Sequence, residues 1–146
     1  MLAGCSMLPW AEMSDEEAGE KYLAAICPSN SALERWSEAH SAYVDDPTAG
    51  FAGAIEAAAG VRDSAQAAAQ ALESDQWPED VAEDIGKVQE SLYVDVSNFD
   101  NLAGAETADE YDRTNRIEDP NGGAAQAVRS GLGLSADTTG SCGVEE

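Results

Sequence analysis

The sequence predicts an all-α fold, a small helical bundle of about four principal helices followed by a short C-terminal helical appendix. Apolar residues recur at spacings of three and four through the middle of the chain, and capping residues precede these segments. No run alternates apolar with polar residues, as a half-buried strand does. The 146 residues suffice for one domain with tails but not for two ordinary domains.

Two capped segments begin the domain. A capping box starts at Ser14, whose hydroxyl is expected to accept a hydrogen bond from the backbone N–H three residues later, so a helix is predicted over 15–27. Pro28 is expected to end this helix, because the residue before a proline disfavours the helical conformation. A second capping pattern at Ser31 predicts another helix over 31–45, with aromatic and apolar residues on one face.

A third, long helix is predicted to begin at Asp46-Pro47, where the aspartate caps the helix and the proline occupies its first turn. It should extend to about residue 74 along a stripe of mostly small side chains, which lets neighbouring helices approach closely. Three glycines each cost up to about 1 kcal/mol relative to alanine and allow a kink or a frayed first turn. They are Gly50, Gly53 and Gly60.

The fourth predicted helix opens at Pro78 and has the most regular apolar periodicity in the chain. Shorter helices are predicted over 107–117 and 119–130, and the sequence after residue 134 is expected to be loop. The apolar stripe of the fourth helix consists of Val81, Ile85, Val88, Leu92, Val96 and Phe99.

The composition limits the partners of the chain. There are 29 acidic and seven basic residues, so the net charge is −22. Such a surface opposes binding to nucleic acid and to anionic lipid headgroups. No apolar stretch approaches the ~20 residues needed to span a bilayer. Attachment to a membrane would therefore need a covalent anchor.

A short motif, Leu2-Ala3-Gly4-Cys5, lies near the first residue. It resembles the lipobox of bacterial lipoproteins, in which a signal peptidase cuts before the cysteine and that cysteine carries a lipid. The resemblance covers four residues and implies a lipid on Cys5 and an extracytoplasmic location at the bacterial cell membrane. The charged and apolar segments of the signal peptide are then expected upstream of Met1. The alternative is a short disordered tail with an incidental cysteine.

The lipobox resemblance also accounts for an odd number of cysteines. If Cys5 carries the lipid, Cys27 and Cys142 remain to form one disulfide. The chain then divides into a lipobox remnant and tether over 1–13, an acidic helical domain over 14–134 and a disulfide-tied tail over 135–146.

No motif for catalysis or for cofactor binding is recognised. His40 is the only histidine and shares a helical face with Trp36 and Tyr43, so packing is favoured over a ligand or acid–base role. A di-iron bundle would need two Glu-x-x-His pairs. The chain also lacks a Gly-rich phosphate loop, a G-x-S-x-G motif and a Cys-x-x-Cys pair. We therefore predict no catalysis and no cofactor.

Two acidic segments are considered as cation sites. Glu79, Asp80, Glu83 and Asp84 form either a solvated helix start or a weak divalent-cation site, and the solvated start is favoured. The segment from 119 to 123 lacks the ligand spacing of a calcium loop and is predicted to be a cap and turn.

These observations predict a monomeric cell-envelope lipoprotein whose helical domain acts by binding or by structural presentation. An acidic surface would steer basic protein partners toward it. One alternative is a secreted or periplasmic domain for a cation or small ligand, which requires several acids to converge in the fold; another is an enzyme. The residues chosen for partner contact, on the outward faces of the first and fourth predicted helices, are Glu16, Glu20, Glu83 and Lys87.

Overall fold

Three long helices and three short ones make up the described part of the chain. The computed structural model describes residues 11–74, 76–116, 119 and 121–142, and these residues contain no strand. The predicted all-α bundle is confirmed. Its helices are α1 (Asp15–Asp45), α2 (Pro47–Ala71), α3 (Glu79–Ala103), α4 (Ala108–Thr114), α5 (Ala124–Gly131) and α6 (Thr138–Ser141).

The first helix runs without a break through Pro28. The prediction of two helices over 15–27 and 31–45 was therefore wrong, and the bundle has three long helices instead of four. A proline inside a helix removes the hydrogen bond to the carbonyl four residues earlier, here that of Ala24. Both residues are exposed, so water can reach the freed carbonyl. The helix continues because its face beyond the proline, including Ser29, is buried.

Three helices begin at side-chain caps that the sequence predicts, whereas no helix begins at Ser31 or at Asp119. The Ser14 hydroxyl accepts from the backbone N–H of Glu17 at 3.2 Å, and the Glu17 carboxylate accepts from the Ser14 N–H at 3.1 Å. The Asp46 carboxylate accepts from two backbone N–H groups of α2, each at 3.1 Å. Thr107 caps α4 at 3.2 Å. Since Asp46 alone separates α1 from α2, the chain reverses sharply there.

The C-terminal predictions need correction in their bounds. The helix predicted over 107–117 ends at Thr114, and the helix predicted over 119–130 begins at Ala124. Residues 117, 118 and 120 lie outside the described residues. The tail predicted as loop contains the one-turn helix α6.

The core consists of two clusters, one at each end of the bundle. The first joins the N-terminal half of α1 to the C-terminal half of α2 and the N-terminal half of α3, with α5 packed on it. The second joins the opposite halves of these helices and receives α4. Neighbouring long helices are therefore antiparallel. The face of α2 is built from small buried side chains, Ala54, Ala58, Ala65, Ala68 and Ala69.

The small residues of α2 allow α1 to approach closely. α2 is a single uninterrupted helix through its three glycines. At Gly50, a Cβ atom would lie 2.6 Å from the backbone nitrogen of Tyr43, whereas at Gly60 it would meet nothing within 4 Å. Only Gly50 is thus required by the α1–α2 contact.

A disulfide and an arginine fix the C-terminal tail to the bundle. Cys27 and Cys142 are bonded, with their Cα atoms 5.3 Å apart. The buried Arg129 of α5 donates from Nη1 to the Ser135 carbonyl at 3.0 Å and to the Ser141 hydroxyl at 2.7 Å. In the described ranges, no helix combines the length and the apolar character needed to cross a membrane.

Candidate functional site

A cleft of about 250 Å³ opens between α1, α3 and the segment that leads into α5. We call it the Asp95 cleft. Its apolar wall comes from α1 and α3, because the stripes that pack these helices on the core extend to its floor. The main apolar side chains of the wall are Ile26, Leu33, Val88 and Leu92.

Asp95 is the carboxylate that α3 contributes to this cleft. It lies three residues after Leu92 and four before Phe99, both buried, so it lies on the same face of α3 as these two residues. Burial, followed by repulsion from Asp119, raises the pKa of Asp95 from its ordinary value of 3.8 to about 6. Within the described residues, Asp95 has no hydrogen-bond or ion-pair partner. Its carboxylate is therefore only partly solvated and is open to a ligand.

Asp119 is the second carboxylate of the cleft, and its position is fixed by α3. The Ser91 hydroxyl donates to its Oδ1 at 3.1 Å, and the Asn121 backbone N–H donates to the same oxygen at 3.1 Å. The Asn121 amide in turn donates to the Lys87 carbonyl at 3.2 Å and to the Glu90 carboxylate at 3.1 Å. Asp119 is thus already engaged, while Asp95 is not.

Ser29 is a second polar group of the cleft that has no partner among the described residues. Its residue is 2% exposed, it lines the cleft, and the described part of the chain supplies no hydrogen bond to its hydroxyl. The neighbouring Asn30 also lines the cleft. The Ser29 oxygen is not among the buried polar atoms that lack a partner, so solvent in the cleft can reach it. A ligand in the cleft can therefore hydrogen-bond to the Ser29 hydroxyl in place of water.

The chemistry of these groups suits a small organic ligand better than a metal ion. Among the described residues, no group of three or more His, Cys, Asp or Glu side chains could hold a metal. Calcium takes six to eight oxygen ligands, and the cleft pairs its two carboxylates with an apolar wall. That wall offers contact area to carbon atoms.

The contact residues chosen from the sequence lie outside this cleft. Glu16 and Glu20 are exposed on α1. Glu83 is exposed and forms an ion pair with Lys87 at 2.8 Å, and Lys87 also lies 3.4 Å from Asp84. The hydrogen bond between Lys87 and Glu83 lowers the pKa of the Glu83 carboxyl and raises that of the Lys87 ammonium.

Two further predictions concern the acidic start of α3 and Cys5. The acidic start of α3 is mostly exposed, in line with the predicted solvated face. Cys5, chosen for lipidation, lies outside the described residues.

His40 belongs to an aromatic cluster at the other end of the bundle. Its ring stacks on Trp36 with centroids 5.0 Å apart, and its Nδ1 lies 3.0 Å from the Tyr111 hydroxyl. Trp36 donates from Nε1 to the same hydroxyl at 3.2 Å. This arrangement agrees with the predicted packing role of the histidine.

Sequence reasoning missed both polar groups that define the cleft. Asp95 precedes Val96, the residue that the predicted α3 stripe includes at this turn, and Ser29 follows the proline that was expected to end the first helix. In each case the available signal was a polar residue at a core-facing position. No protein-family profile matches the chain, and comparison with curated proteins and with solved structures likewise finds no match.

Proposed function

We propose that this chain is an extracytoplasmic binding protein, held at the bacterial cell membrane by a lipid on Cys5, whose domain takes a small ligand in the Asp95 cleft. The observation that carries the binding role is the pair Asp95 and Ser29. Both line one cleft, and neither has a partner among the described residues. Folding has partly desolvated the Asp95 carboxylate, and the described residues pair neither it nor the Ser29 hydroxyl, so a bound ligand can supply the missing partners.

The disulfide supports the proposed compartment. Disulfides persist in secreted and periplasmic proteins and are rare in reducing cytosol. Cys27 and Cys142 are bonded, which leaves Cys5 for the lipid that the lipobox resemblance implies.

The proposal assigns binding and not catalysis. The cleft contributes hydroxyls and carboxylates, and nucleophilic catalysis by a serine needs an adjacent base. The only imidazole of the chain, on His40, contacts Trp36 and Tyr111 in the other cluster.

Contact with a protein is a second role that we propose for the anchored domain. The net charge of −22 would steer basic partners toward it, and Glu16 and Glu20 are exposed on α1. Crosslinking on intact cells, with the native chain and with Cys5→Ala, tests this role. Recovery of the same partners from the unanchored form would show that the anchor is irrelevant to it.

A fragment screen tests the ligand cleft. Small neutral and charged fragments are added to the full chain, and amide shifts are followed by nuclear magnetic resonance. We expect the largest shifts over 26–33, 88–95 and 121–125. Hits that scatter over the surface, or that cluster at His40, would refute a ligand site at the Asp95 cleft.

Membrane fractionation tests the anchor. The native chain should partition with membranes and incorporate a labelled fatty acid, whereas Cys5→Ala should do neither. A membrane-bound, labelled Cys5→Ala form would contradict lipidation at this residue.

A further inference from the structure

We propose that the ligand of the Asp95 cleft is a small organic monocation with an apolar body, such as a primary amine, whose ammonium group pairs with the Asp95 carboxylate. This inference rests on the ligand site proposed above and specifies its chemistry. The ammonium would lie between α1 and α3, and the carbon part would lie against the apolar wall.

The charge of the cleft selects a cation with one positive charge. Among the described residues, two carboxylates line it and no basic side chain does. Asp119 already accepts two hydrogen bonds, from Ser91 and from the Asn121 backbone. Asp95 accepts none from the described residues. Asp119 keeps its charge but is exposed to solvent, whereas Asp95 is partly buried. A partly buried charge is costly without a counter-ion, so one ammonium is expected at Asp95.

Ser29 supports a ligand in the cleft independently of the two carboxylates. Ser29 lies on α1, across the cleft from α3, and the residue is 2% exposed. Its hydroxyl makes no hydrogen bond within the described part of the chain. A primary ammonium has three donors, enough for both the Asp95 carboxylate and the Ser29 oxygen of the same cleft. The Asn30 side chain next to Ser29 lines the same cleft.

The apolar wall and the volume limit the rest of the ligand. The cleft holds about 250 Å³, and a water molecule occupies about 30 Å³ in the liquid. The space therefore suits a ligand of roughly six to ten heavy atoms by this comparison. Ile26, Leu33 and Leu92 supply apolar contacts along it, which a hydrated metal ion could not use.

Protonation of Asp95 should compete with the ligand. On α1, no charged residue lines the cleft; on α3, Asp95 does; and on the segment before α5, Asp119 does. Lys87 and Glu90 flank it through their bonds to Asn121. Burial and the nearby Asp119 carboxylate hold the pKa of Asp95 at about 6. An ammonium needs the ionised form, so the dissociation constant at pH 5 should be about tenfold larger than at pH 7.5.

Calorimetric titration with matched probes tests the inference. Hexylamine, cyclohexylamine and benzylamine are each compared with the corresponding alcohol, using the full oxidised chain. About 0.15 M salt screens the acidic surface, where the Debye length is about 8 Å. At least one amine should bind with one-to-one stoichiometry, at least tenfold more tightly than its alcohol. It should also bind about tenfold more weakly at pH 5 than at pH 7.5, and equal affinity at the two pH values would overturn the role of the Asp95 carboxylate.

Two variants distinguish binding at the Asp95 cleft from nonspecific attraction to the acidic surface. Asp95→Asn should weaken the amine at least tenfold, and Glu38→Gln, which removes one exposed charge of α1, should change it less than twofold. Equal losses in both variants would mean nonspecific attraction and would overturn the inference. The inference would also be overturned if none of the three amines bound saturably.

The experiments distinguish a wrong ligand class from a wrong ligand site. Alcohols that bind as tightly as amines would refute the cation and keep a ligand cleft. Fragment shifts away from the Asp95 cleft would refute both.

Discussion

Cys27 in α1 is bonded to Cys142, which lies 115 residues later in the chain. The bond sits beside a second attachment of the same segment, since Ser141 accepts a hydrogen bond from the buried Arg129 of α5. The tail is therefore fixed both to α1 and to α5. These two helices border the Asp95 cleft, so the disulfide also restricts how far its walls can separate.

Loss of the disulfide should destabilise the domain strongly. In the chain-entropy treatment, a closed loop of roughly 100 residues contributes about 4.7 kcal/mol, and measured values are often lower. We expect the Cys27→Ala, Cys142→Ala double variant to lose about 2–4 kcal/mol in urea unfolding. Reductant should lower the native midpoint and leave that of the double variant unchanged. Thiol titration of the denatured, unreduced chain should find at most one free cysteine, and three would refute the pairing.

Asp95→Asn should stabilise the ligand-free protein at neutral pH. The pKa of Asp95 is raised to about 6 when folded, so the folded state binds more protons than the unfolded state between about pH 4 and 6. Its contribution to stability is therefore present below about pH 4 and is lost as the pH rises through 6.

The size of this stabilisation follows from the raised pKa of Asp95, reduced because solvent screens part of the charge. We expect the variant to gain about 1–2 kcal/mol at pH 7, less than the full shift implies because the carboxyl is only partly buried. At pH 4 the difference should be close to zero. Urea unfolding of both proteins from pH 4 to 7.5 measures it. A difference that grows toward low pH would contradict the raised pKa.

Two glycines of α2 should respond to alanine in opposite directions. At Gly50, the new Cβ would lie 2.6 Å from the Tyr43 nitrogen, so α1 and α2 must separate, at a cost of about 1–3 kcal/mol. At Gly60, nothing lies within 4 Å, and Gly60→Ala should gain about 0.5–1 kcal/mol from helix propensity. Thermal unfolding of the two variants side by side checks both signs. Stabilisation by Gly50→Ala would mean that the helices are not in close contact there.

Local signals in the sequence predicted most helix starts and the face of α3. Caps act within one turn, which is why those at Ser14, Asp46 and Thr107 could be identified without knowledge of the fold. Pro28 could not be interpreted in this way. Its local preference to end the helix is outweighed by burial of the α1 face that follows it, which depends on α2.

The Asp95 cleft depends on contacts between distant segments. The α3 pattern marks a face as buried but does not say that Asp95 will lie near Asp119, 24 residues later. That relation exists because Asn121 and Asp119 bond to α3 and bring the connecting segment back across it. The pairing of Cys27 with Cys142 could be predicted because only two cysteines remained once Cys5 was assigned to the lipid.

The Tyr111 hydroxyl should matter more to stability than that of an exposed tyrosine. Tyr111 is fully buried, and its hydroxyl accepts from Trp36 Nε1 and lies 3.0 Å from His40 Nδ1. Tyr111→Phe keeps the ring in the core but removes the partner of both nitrogens, so we expect a loss of about 1–2 kcal/mol.

Tyr93→Phe is the matched control for this substitution. The Tyr93 residue is 45% exposed, and its hydroxyl donates to Glu73 at 3.2 Å. Water can replace that bond when the hydroxyl is lost, so the free energy of unfolding should change by less than about 0.5 kcal/mol. Urea unfolding of both variants measures the difference. Equal effects would show that the bonds of Tyr111 to Trp36 and His40 do not stabilise the cluster, and that His40 is held there by ring packing alone.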